Sequence, residues 1–157
     1  LRRRMWWSVP TGVIGQTINI AAIEQALPGC TEQLSRAGSD AAAQAIMTTD
    51  TVKKEEAVTV EIGGKTVTIG GISKGSGMIH PNMATTLNFI STDCAISAKM
   101  LQQALSEIVK VTYNCLSIDG DTSTNDMVEI MASGLAATRK SPLPARRWTP
   151  LRLPFMM

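Results

Sequence analysis

Residues 58–69 read VTVEIGGKTVTI. Two runs of alternating β-branched and polar residues meet at Gly63 and Gly64, and paired glycines take the positive φ values of a type I′ hairpin turn without steric cost. The alternation predicts two antiparallel strands, with Val58 opposite Ile69 and Val60 opposite Val67. Such a hairpin turns an apolar face to a core and leads through Gly70 and Gly71 into a loop that begins at Lys74.

Beyond the hairpin, glycine turns separate short apolar runs from residue 11 to about residue 140, with no internal repeat. Ser97 is placed to cap a helix in which Leu101, Ala104, Leu105, Ile108, Val109 and Thr112 recur at helical spacing. An earlier helix is expected over residues 40–47. A later one is expected over about residues 126–133, after the apolar run 115–118 and the polar loop DGDTSTND, with Ser123, Thr124 or Asn125 as its cap. Strand alternating with helix predicts an α/β class of sheet and helix packed in layers. The head, residues 1–10, has no periodicity that buries both Trp6 and Trp7. The tail SPLPARRWTPLRLPFMM, residues 141–157, has a proline too often for helix or inner strand and is expected to be disordered.

Nearly half of the residues are apolar, which favours a globular domain over a disordered chain. Lysine and arginine number 15 against 13 acidic residues, and the excess gathers at the two ends, so the middle carries no basic stripe. That sets nucleic acid aside as a partner. Cys30, Cys94 and Cys115 are odd in number and outside any CxxC pair, which argues against a disulfide framework and a zinc site and points to a reducing compartment. No metal is expected. The start LRRRMWW has no apolar stretch long enough for a signal peptide, and no later segment is long and apolar enough to span a membrane. The chain opens on Leu1 rather than methionine, which suggests a fragment.

The segment KGSGMIHPNMATTLNFISTD, residues 74–93, concentrates glycine, a lysine and hydroxyl residues. It is not a Walker loop, because Lys74 precedes Gly75, and not a dinucleotide loop, because His80 stands where the third glycine belongs. DGDTSTND places acidic residues at alternate positions, yet Thr124 occupies the position that an EF-hand gives to glycine, so calcium is not expected. His80, the sole histidine, has no partners for a metal site or a triad and reads as a loop residue. A transferase without a histidine base needs another way to activate its nucleophile, and a threonine whose own α-amino group takes the proton is one.

Four segments together resemble the ornithine acetyltransferase (glutamate N-acetyltransferase) family of arginine biosynthesis: TGVIGQ at 11–16, AIMTTDT at 45–51, GGISKGSGMIHPNMATTLNFISTD at 70–93 and NCLSIDGDTSTND at 114–126. Their order and spacing carry the match, which covers residues 11–134. The resemblance implies a sandwich of helices outside two sheets, incomplete here. It implies self-cleavage between Ala84 and Thr85, so that residues 11–84 are part of an α chain and 85–140 the start of a β chain that stays associated with it. Thr85 then serves as nucleophile, with the Thr11 hydroxyl and the Gly12 N–H as oxyanion donors, and Thr48, Lys74 and Thr85 contact substrate. Thr49 is a close neighbour of this set. The implied reaction moves acetyl from N-acetylornithine to glutamate without a cofactor, acetyl-CoA being a second candidate donor. The implied location is the cytoplasm, or the mitochondrial matrix in a eukaryote.

Departures from the pattern are SVP before Thr11, and Thr86 where the family commonly has methionine. The family's further substrate residues, a glutamate and an asparagine and hydroxyl residue near the C terminus, lie beyond the matched stretch. An inactive truncated product and a related threonine-nucleophile aminopeptidase stay open as alternatives; KGSGM and TTDT favour the acetyltransferase.

Overall fold

The computed structural model describes residues 11–81 and 86–138, so the head, the tail, Ala84 and Thr85 lie outside the described residues. The chain divides into two units, Leu1–Gly38 and Ser39–Met157. In the first unit, a turn at 13–16 with Gly15 at φ 80° precedes helix α1, Ile20–Glu32. Asn19 caps α1 by accepting the Ala22 N–H at 3.1 Å. The helix holds Pro28 and Gly29 and buries no residue. No element is expected over this stretch from the sequence.

The second unit opens with α2, Ser39–Ala45, close to the expected helix. Four strands follow, β1 (Lys54–Ile62), β2 (Lys65–Lys74), β3 (Leu87–Thr92) and β4 (Met127–Ala132), in a single sheet of order β1-β2-β3-β4. The β1–β2 register pairs Val58 with Ile69 and Val60 with Val67, and Gly63 and Gly64 have φ of 59° and 74°. The hairpin is therefore as the alternation predicts. β2 and β3 pair antiparallel from Ile69↔Thr92 to Lys74↔Leu87, and β3 and β4 pair in parallel.

Between β3 and β4 runs α3, Ala98–Val111, capped by Ser97, whose hydroxyl accepts the Met100 N–H at 3.3 Å. Its five periodic apolar positions, Leu101, Ala104, Leu105, Ile108 and Val109, are all partly covered, with exposed polar residues between them. Leu105 and Val109 line a shallow cavity with Val128 of β4, which places α3 against the last strand. α2 rests on β1 and β2 and buries Ala43 completely. The mixed α/β class holds, with Val67, Ile79 and Leu87 completing the small apolar core among the described residues.

The helix expected over 126–133 is a strand. Met, Glu and Ala favour helix locally, but Val128 and Ile130 alternate with Glu129, and pairing with β3 outweighs propensity. The predicted cap is a turn instead: the Asn125 N–H donates to the Ser123 hydroxyl at 3.0 Å.

Candidate active site

The segment after α2 is docked on the loop after β2 by one buried carboxylate. Asp50 Oδ1 accepts from Lys54 Nζ at 2.6 Å and from the Gly75 N–H at 2.7 Å, while Oδ2 accepts the Thr48 N–H at 3.3 Å. The Asp50 side chain has no exposed surface, and that of Lys54 keeps 37 %. Burial alone would raise the Asp50 carboxyl, but the hydrogen bonds from Lys54, Gly75 and Thr48 hold it below the ordinary carboxylate value. Beside it, the hydroxyls of Thr49 and Ser76 meet at 2.8 Å. TTD is thus tied to GS of the KGS segment, and Lys74, the residue before Gly75, is buried at the end of β2.

A second docking holds the two flanks of residues 82–85. Upstream, Asp119 accepts the N–H groups of Met78 at 2.6 Å and Ile79 at 3.0 Å, and Ile118 donates to the Ile79 carbonyl at 2.9 Å. These backbone bonds hold the Asp119 carboxyl below its ordinary value. Met78 has a φ of 57°, in the left-handed region, and its N–H is the one that makes the shortest of these bonds. Downstream, Asp126 Oδ1 accepts the Thr86 N–H at 3.1 Å, and the Met127 N–H donates to the Thr86 carbonyl at 3.0 Å. Asn88, only 1 % exposed, donates from Nδ2 to the Thr86 hydroxyl at 2.9 Å and to the Met127 carbonyl at 3.2 Å, and accepts from the Ser73 hydroxyl. Burial pushes the Asp126 carboxyl up, outweighing the Thr86 N–H, a hydrogen bond from Ser123 and the attraction of Lys74.

Of the residues expected at the site, Thr48 is tied through Asp50 to Gly75, which follows Lys74, and Thr49 bonds to Ser76. Thr11 and Gly12, exposed and ahead of α1, belong to the first unit. His80 is an exposed loop residue, as expected. Sequence reasoning missed the anchoring carboxylates Asp50, Asp119 and Asp126, and Asn88. The only signal was their setting: each lies in a motif dense in hydroxyls or glycine, but the sequence does not say which backbone N–H groups it faces.

The ArgJ family profile matches residues 2–148. The chain belongs to the ArgJ family. It is 48 % identical over 136 residues to the Arginine biosynthesis bifunctional protein ArgJ of Symbiobacterium thermophilum, covering 87 % of this chain and 34 % of that protein. The ArgJ protein of the same description from Synechococcus sp. is 52 % identical over 128 residues, 82 % of this chain and 31 % of the relative. That of Bacillus subtilis is 54 % identical over 126 residues, 80 % and 30 % respectively. The chain thus spans about a third of the length of these ArgJ relatives. The family read from the four motifs is borne out.

Proposed function

We propose that this chain carries the central part of a glutamate N-acetyltransferase of arginine biosynthesis, with Thr85 as nucleophile after self-cleavage at Ala84–Thr85. The observation that supports it most is the double docking of the PNMAT flanks by Asp119 and Asp126. A bond that breaks without a protease needs its neighbours fixed, because orientation supplies much of such a rate.

In the first stage, the Thr85 hydroxyl attacks the Ala84 carbonyl carbon, the C–N bond breaks, and the acyl group shifts from nitrogen to oxygen. Water then hydrolyses the ester, releasing an Ala84 carboxylate and a Thr85 bearing a free hydroxyl and α-amino group. That amino group, with a reference pKa of roughly 7.7 to 8.0, is partly neutral near pH 7 and takes the hydroxyl proton in the second stage. Thr85 Oγ attacks the acetyl carbonyl of N-acetylornithine, ornithine leaves with the proton, and the acetyl group rests on Thr85. Glutamate attacks that ester through its own amine, giving N-acetylglutamate and restoring the hydroxyl.

Thr11 and Gly12 donate hydrogen bonds to the oxyanion at each stage. Removing one such donor typically costs about 2.7 to 4 kcal/mol of barrier stabilisation. Lys74 and Thr48 receive the substrate, the ammonium suiting a carboxylate. Acetyl-CoA is a second donor for the same nucleophile, and no cofactor takes part. The cut pieces stay together, and the enzyme works in the cytoplasm, or in the mitochondrial matrix of a eukaryote.

The test is a pair of substitutions in a full-length ArgJ relative with the same PNMAT segment. Thr85→Ala leaves an intact precursor without transferase activity. Thr85→Ser still cuts, more slowly, because the β-methyl that restrains the hydroxyl rotamer is gone. Intact-mass measurement reads the cut, and a Thr85→Ala protein still cleaved before residue 85 would overturn the mechanism.

A further inference from the structure

We propose that Asp50 is a positioning residue of the substrate site: its buried carboxylate docks 48–50 onto 75–76 and so sets Thr48 beside Lys74. The inference rests on the reading of Thr48 and Lys74 as substrate contacts.

The geometry is that of a bridge. One carboxylate takes the Thr48 N–H on one oxygen and the Gly75 N–H on the other, so the two backbones are separated by no more than the carboxylate and two hydrogen bonds. Gly75 directly follows Lys74, so the bridge ties the residue after the lysine to Thr48 itself. Lys54 supplies the counter-charge from β1 and stays partly in solvent, so a buried anion is paired and fully hydrogen-bonded. Thr49 and Ser76 add a second tie at the exposed edge of the same seam. Neither Thr48 nor Thr49 is buried, so little packing holds them without these bonds.

The chemistry of the amide isostere makes the role testable. In an Asp50→Asn chain the side-chain oxygen remains the acceptor for Lys54 and Gly75, which leaves Nδ2 facing the Thr48 N–H, donor against donor. Thr48 is released while the Gly75 bond survives. Hydrogen exchange on the present chain should therefore show loss of protection at the Thr48 amide and retention at Gly75. Retained protection at Thr48 would overturn the bridge irrespective of any activity.

In a full-length relative sharing TTDT and SKGSG, Asp50→Asn and Thr48→Ala should each raise KM for the acetyl donor about tenfold, the usual size of one lost polar contact. kcat should change far less. The double variant should be no worse than the worse single one, because both remove the same contact. Multiplied effects would overturn the proposal. Raised KM in Thr48→Ala with an unchanged KM in Asp50→Asn would overturn the Asp50 role alone. Unchanged KM in Thr48→Ala would overturn the reading of Thr48 as a contact, and the Asp50 role with it. If Asp50→Asn fails to fold, Ser76→Ala opens the exposed tie without touching a buried group, and should raise the same KM about twofold to threefold. No change there would also overturn the docking as the device that sets the site.

Discussion

The carboxylates around the site titrate in opposite senses. Asp126 is raised above 3.8 by burial, whereas Asp50 is held below 3.8 by its donors. For Asp126 the folded state favours the proton, so its contribution is present below 3.8 and lost as pH climbs through the raised value. For Asp50 the contribution is present above 3.8 and lost as pH falls through the depressed value. Urea unfolding across the acid range should accordingly show Asp126→Asn gaining on the parent as pH rises, and Asp50→Asn closing its deficit as pH falls. Parallel curves for parent and variants would refute both assignments. The segments around Asp50, Asp119 and Asp126 were legible as motifs, yet the anchoring role of these aspartates was not. A carboxylate in a polar loop looks like solvated charge until the backbone donors it faces are known.

Among the elements, one glycine of the sheet and one of α1 differ in what surrounds them. A Cβ at Gly71 of β2 would lie 2.9 Å from the Phe89 carbonyl and 3.3 Å from Ile90 Cγ1, so β2 and β3 would have to part. Gly71→Ala should cost about 1 to 3 kcal/mol, as overpacking does. Gly29→Ala in α1 meets nothing within 4 Å and should gain about 0.5 to 1 kcal/mol, since helix interiors prefer alanine. Thermal melts of the two variants should move in opposite directions; a stabilised Gly71→Ala would show the β2–β3 contact to be slack. The β1–β2 hairpin and α3 were legible because their spacing matches one period without a rival. β4 was not: MVEIMA satisfies both helix propensity and strand alternation, and only the parallel pairing with β3 decides it. α1 was not expected from the sequence, and it holds Pro28 within its span.

Across the whole molecule, Ala84–Thr85 falls between β2 and β3, which pair antiparallel over six residues from Ile69↔Thr92 to Lys74↔Leu87. A cut there severs the connection and leaves the ladder. The two pieces should therefore elute together under native conditions and separate only in denaturant, with native mass spectrometry giving their sum. Separate elution of correctly cut pieces would show that the ladder does not hold them. The sandwich of two sheets implied by the family likeness is represented among the described residues by one sheet with helices against it. The remainder was not legible in the same sense, because the chain spans about a third of its relatives.

The parallel pairing of β4 with β3 has a kinetic consequence. β1, β2 and β3 are joined to their sequence neighbours, but β4 must arrive after a crossover that includes α3, and non-local pairings of this kind form late because loop closure precedes their reward. The Asp126 and Met127 contacts to Thr86 belong to that last strand and its approach. Under the proposed self-cleavage, the clamp beside the Ala84–Thr85 position would thus close only on a completed sheet, and the rate of cutting in a refolding precursor would serve as a clock for the arrival of β4.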